Sequence, residues 1–108
     1  MENTSPFLGM QQVEGQIKAL LRSVDLDLLE PAEKKTVTGM KRLAVDARLD
    51  IRDYELSETR EEQLKYAAAA RKRLARLRAA ILMAGAAFGP ADVAQVTAQL
   101  EQIESRVL

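Results

Sequence analysis

Five cations crowd into eight residues of this chain. Arg71, Lys72, Arg73, Arg76 and Arg78 fall within "RKRLARLR" with no acid among them. Guanidinium and ammonium groups gathered this way suit the neutralisation of phosphates, above all those of a nucleic-acid backbone. The bland alternative is a solvated helix face whose charges pair with carboxylates on neighbouring helices. A second basic stretch adds Lys34, Lys35, Lys41, Arg42, Arg48 and Arg52, here interleaved with Asp46, Asp50, Asp53 and Glu55. The whole chain is neutral, with 16 basic and 16 acidic side chains. The cations are therefore concentrated in the middle of the sequence. Acids dominate near its ends, as Asp25, Asp27, Glu30, Asp92, Glu101 and Glu104.

Other chemistry is scarce. The chain has neither His nor Cys. That excludes histidine general bases, cysteine nucleophiles, thiolate zinc sites and the Glu-x-x-His pair of di-iron bundles. Asp46, Asp50 and Asp53 share a helical face at i, i+4 and i+7, a spacing compatible with a cation. The neighbouring Arg42, Arg48 and Arg52 make local ion pairs the preferred reading. No Ser or Thr stands in a defensible nucleophile–base arrangement. The expectation is no catalytic residue, no metal and no cofactor. Tyr54 and Tyr66 fall near helix seams, and aromatics are only 4% of residues, too few for a base-stacking platform. Any nucleic-acid contact is then expected to be with backbone.

The elements that must position these charges are helices. Met10, Val13, Ile17, Leu20 and Val24 repeat at steps of 3 and 4, as do Val37, Met40, Ala44, Ala47, Ile51 and Tyr54. Leu64, Ala67, Ala70, Leu74, Leu77, Ile81, Ala84 and Phe88 form a third stripe, and Val93, Val96, Leu100, Ile103 and Val107 a fourth. That period is the mark of an amphipathic helix, and no alternating strand pattern competes. Pro31 opens the second helix, Thr59 with Glu62 reads as a capping box (Ser57 competing), and Gly89-Pro90 separates the last two. The predicted helices span 7–29, 31–56, 59–87 and 90–107. Short connections between them predict one domain over residues 1–108, an all-α antiparallel up-down-up-down four-helix bundle. At about 100° per residue, Lys72 and Arg76 point away from the Leu74–Leu77–Ile81 stripe, and Arg71, Arg73 and Arg78 flank it.

The first residues lack a positive region followed by an apolar one, and the longest apolar run, residues 79–88, is too short to span a bilayer. A cytoplasmic protein without membrane or small-molecule partners is expected.

The stretches "LLEPAEKKTVTGMKRLAVDAR", "AAAARKRLARLRAAILMAGAAFG" and "VAQVTAQLEQIESRVL" cover most of the chain. Together they resemble a four-helix-bundle family. It includes the accessory variability determinant (Avd) of diversity-generating retroelements and the proteins encoded in ribosomal-RNA intervening sequences. Leu74-x-x-Leu77-Arg78 is the most specific matching piece. The resemblance implies a homo-oligomer, a pentameric barrel of bundles. It also implies a non-catalytic accessory role that binds a reverse transcriptase and RNA through a basic surface. The residues it carries over are Arg71, Arg73, Arg76, Arg78, Lys41, Arg42 and Arg48; Lys72 joins them from the charge pattern. Two rival readings stand beside it. One is the helical small subunit of another ribonucleoprotein, such as a CRISPR effector; the other is a protein–protein adaptor or chaperone.

Overall fold

The fold is that of a computed structural model, which describes residues 5–107. Four helices make up the frame: α1 (Pro6–Ser23), α2 (Pro31–Leu56), α3 (Arg60–Met83) and α4 (Pro90–Ser105). No strand occurs among the described residues. The helices form an arrangement compatible with a four-helix bundle: α2 packs against α1 and α3, and α4 packs against the same two.

Each helix start follows from its local chemistry. The Ser5 hydroxyl accepts from the Leu8 amide at 3.2 Å ahead of Pro6. Pro31 opens α2, where the Glu30 amide donates to Glu33 Oε1 at 3.4 Å. At α3 the Thr59 hydroxyl accepts from the Glu62 amide at 3.1 Å. Such side-chain acceptors satisfy amides that have no partner within the helix. Ser57, the competing cap, serves the end of α2 instead, its hydroxyl donating to the Asp53 carbonyl at 2.7 Å.

The helix ends depart from the periodicity. α1 stops at Ser23 rather than continuing to residue 29, because Val24 turns extended (φ −92°, ψ 130°). Asp25 Oδ1 then accepts from the Asp27 amide at 3.1 Å and starts a single 3-10 turn, Leu26–Leu28. A short carboxylate that bonds its own backbone competes with the helix at that point. The third helix, expected to reach residue 87, breaks at Ala84 (φ −93°, ψ 13°), and one separate helical turn follows over Gly85–Phe88. Ala84 and Phe88 stay in the core across that break. The last helix ends at Ser105, short of residue 107, yet Val107 is still buried.

Gly89 has φ 90° and ψ 150°, a conformation open essentially only to glycine. A Cβ there meets nothing within 4 Å, so a side chain is opposed by the backbone alone. Gly89→Ala is expected to lower stability by about 1–3 kcal/mol, which urea denaturation measures.

The core is a single cluster. Met10, Val13 and Ile17 come from α1; Val37, Met40, Ala44, Ala47 and Ile51 from α2; Ala67, Ala70, Leu74, Leu77 and Ile81 from α3; Val96, Leu100 and Ile103 from α4. The α2–α3 contact is the most extensive, and both helices bury alanines in it, which lets their backbones approach closely. Leu64 departs from its expected place and is 50% exposed. Its step of 3 to Ala67 is followed by another of 3 to Ala70, so it lies about 60° around the helix from Ala67 and off the buried stripe.

Candidate charged surface

Helix α3 sends its five clustered cations in three directions. Arg73 leans toward α2, where Nη1 is 3.0 Å from Asp46 Oδ2 and Nε is 2.7 Å from Asp50 Oδ2. Arg71 and Arg78 lean toward α4 and its C-terminal end. Arg71 Nη2 donates to the Val107 carbonyl at 2.7 Å, and Arg78 Nη1 donates to Glu104 Oε2 at 2.9 Å. Lys72 and Arg76 alone point outward; both are exposed, and neither has an ion-pair partner among the described residues. They lie one turn apart, about 6 Å along the helix axis. Lys65 shares that side of α3, with Nζ 5.7 Å from the centre of the Tyr66 ring.

On α2 the cations divide similarly. Arg48 Nε lies 3.2 Å from Glu14 Oε2 of α1, with both side chains largely covered. Arg42 Nε sits 3.7 Å from Asp46, but its side chain is 84% exposed, so that pair is loose and worth about 0–1 kcal/mol. Lys41 is exposed and lacks an ion-pair partner among the described residues. Of the eight cations expected to bind a nucleic acid or partner, Arg48, Arg73 and Arg78 are thus held in ion pairs between helices and Arg71 by a carbonyl. Lys41, Lys72 and Arg76 remain available, with Arg42 loosely tethered.

The acid triplet also resolves differently from the local pairing expected of it. Asp46 and Asp50 converge on Arg73 of α3, while the pairs within α2 are the loose Arg42–Asp46 contact at 3.7 Å and Arg52–Asp53 at 3.3 Å. A pair between helices needs the register of two elements, which one-helix spacing does not contain. Among the described residues no group of three or more acids is placed to hold a metal ion.

The fold shifts the pKa of the Asp50 carboxyl. Burial raises its pKa above 3.8, the Arg73 guanidinium opposes that rise, and Asp53 and Asp46 add to it. A carboxyl whose folded pKa is raised binds protons more readily in the native state. Its ionisation therefore opposes folding as pH climbs through the window above 3.8. Its carboxyl carbon, followed by NMR, is expected to titrate above that value. The Asp50→Asn variant should lose this contribution to the stability–pH curve.

One grouping was not legible in the sequence. Lys18 and Arg22 of α1 and Lys41 of α2 surround an open pocket of about 380 Å³ with Leu21 among its lining. Lys18 and Arg22 are four residues apart, a visible signal, but their meeting with Lys41 depends on how α1 lies on α2.

No described helix is long and apolar enough to cross a membrane. No protein-family model, no curated protein and no solved structure matches this chain.

Proposed function

We propose that this chain is a non-catalytic, nucleic-acid-binding accessory protein of the Avd kind, with the cytoplasm as its place of action. In this reading it binds RNA through backbone phosphates and works beside a reverse transcriptase. Its bundle runs up-down-up-down. The contacts Phe7 with Glu55 and Glu14 with Arg48 pair early α1 with late α2; Arg71 with Val107 and Arg78 with Glu104 pair α3 with α4 in the same opposed sense. Several copies, five in the Avd arrangement, bring their α3 faces together into one basic surface although each chain is neutral.

The observation that carries the reading is the outward pair Lys72 and Arg76. In a chain that gives Arg48, Arg73 and Arg78 each a carboxylate, these two are left without one among the described residues. They sit on a rigid helix, where a phosphate backbone can reach both. The absence of His and Cys from the sequence supports the non-catalytic role.

A structured RNA tests this by filter binding. The Lys72→Ala/Arg76→Ala pair should weaken binding and reduce the log K against log salt slope by about 2. Arg78→Ala should leave the slope nearly unchanged, because its guanidinium is engaged with Glu104. Equal slopes for the wild type and the double variant count against the proposal.

A second reading rests on a specific observation. Leu64, Leu82 and Met83 of α3 are 50%, 60% and 70% exposed. Large exposed apolar side chains on one helix favour a protein contact, as in an adaptor.

A further inference from the structure

We infer that Lys18, Arg22 and Lys41 form a phosphate seat at the seam between α1 and α2, separate from the outward face of α3. The seam itself shows why. Where Glu14 of α1 meets Arg48 of α2, charge is matched at 3.2 Å. One turn further along α1 the matching fails: Lys18 replaces the acid, Arg22 follows another turn on, and the facing residue of α2 is Lys41.

Three cations from two helices thus border one open pocket of about 380 Å³, and among the described residues no carboxylate lines it. All three side chains are exposed, and none has an ion-pair partner among the described residues. Like charges placed together repel, and an anion seated among them removes that cost.

The chemistry of the lining selects the ligand class. Lys and Arg side chains only donate hydrogen bonds, so the polar groups here offer no acceptor to a base or sugar hydroxyl. Leu21, half-buried and apolar, completes the lining among the described residues, which places no aromatic ring there for stacking. Three cationic donor groups around an open, acceptor-free hollow fit the tetrahedral, anionic oxygens of a phosphate group. The seat therefore takes a phosphate group, whether the end of a small phosphorylated molecule or a phosphodiester of a polynucleotide. It does not depend on Lys72 and Arg76 binding RNA.

The test is a titration of the 15N-labelled full chain with sodium pyrophosphate at constant ionic strength. The expected result is saturable movement of the Lys18, Arg22 and Lys41 signals, with those of Lys72 and Arg76 moving less. Arg22→Ala/Lys41→Ala should weaken pyrophosphate binding at least about tenfold, the loss of charge-assisted contacts. Arg22→Lys/Lys41→Arg, which keeps the charge, should retain most of it. Because all the substituted side chains are exposed, circular dichroism should show both variants folded.

A parallel titration with a short structured RNA separates the sources. Saturable movement of the same signals assigns the phosphate to a polynucleotide; movement with pyrophosphate alone assigns it to a small molecule. Linear, unsaturated shifts shared equally by all surface cations overturn the seat, as does wild-type affinity in the alanine variant. Loss of RNA binding in Lys72→Ala/Arg76→Ala leaves the pyrophosphate result untouched, so the two proposals fail separately.

Discussion

Leu74→Ala is expected to destabilise the protein by about 2–5 kcal/mol, read from the midpoint of a urea transition at unchanged slope. Leu74 is fully buried at the middle of α3, in the cluster to which all four helices contribute. Truncation removes its transfer free energy and leaves a cavity that the surrounding Leu, Ile and Met side chains fill only in part. A domain of this size has about 5–15 kcal/mol of stability in all, so one such substitution takes a large share. Leu64→Ala is the matching control. It belongs to the same sequence stripe, yet Leu64 is 50% exposed, and its loss should stay within about 0.5 kcal/mol. Equal effects for the two leucines would mean that α3 is rotated about its axis.

The second large effect is expected from Arg73→Met, a loss of about 1–3 kcal/mol. That range lies between the ~0–1 kcal/mol of exposed pairs and the ~3–5 kcal/mol of breaking a buried one. Arg73 lies 3.0 Å from Asp46 and 2.7 Å from Asp50, whose side chains are 27% and 17% exposed. Without the guanidinium the two carboxylates stand one turn apart on α2, largely covered and with no counter-charge from α3. Methionine preserves the stem's packing, so the loss reports mainly charge. The pH dependence distinguishes this from a packing defect. Arg73 is the influence holding the Asp50 pKa down, against burial and its acidic neighbours. Its removal lifts that pKa further, so the variant recovers relative to wild type as the pH is lowered and Asp50 becomes neutral. Asp50→Asn in the Arg73→Met background should restore part of the loss at neutral pH, and the double-mutant cycle gives the coupling directly.

These particulars show how much the sequence disclosed. The helical period placed Met10, Val13 and Ile17 of α1, and Leu74, Leu77 and Ile81 of α3, in the core, because burial on one face repeats every 3 to 4 residues. Pro31, Thr59 and Pro90 marked helix starts, because capping is local chemistry. Ends were harder. Asp25 closes α1 early through its own backbone bond, and the break at Ala84 comes from a change of backbone direction, neither of which interrupts an apolar stripe.

For the charged surface, spacing told which side chains leave the core side of α3 but not what they meet. Arg73 and Arg78 differ from Lys72 and Arg76 only by facing a neighbour that supplies Asp46, Asp50 or Glu104. That is a fact of register between helices, invisible in any single one. The same reason hid the convergence of Lys18 and Arg22 on Lys41.

The most direct test of the central claim is the affinity of the wild-type chain for a structured RNA, measured from low to moderate salt. A phosphate-binding surface built from the unpaired cations predicts a steep linear fall of log K with log salt. Each chain in contact should contribute a slope of at least about 2, from Lys72 and Arg76 alone. No binding at low salt, or an affinity indifferent to salt, would contradict it and leave the exposed apolar side chains of α3 as the functional surface.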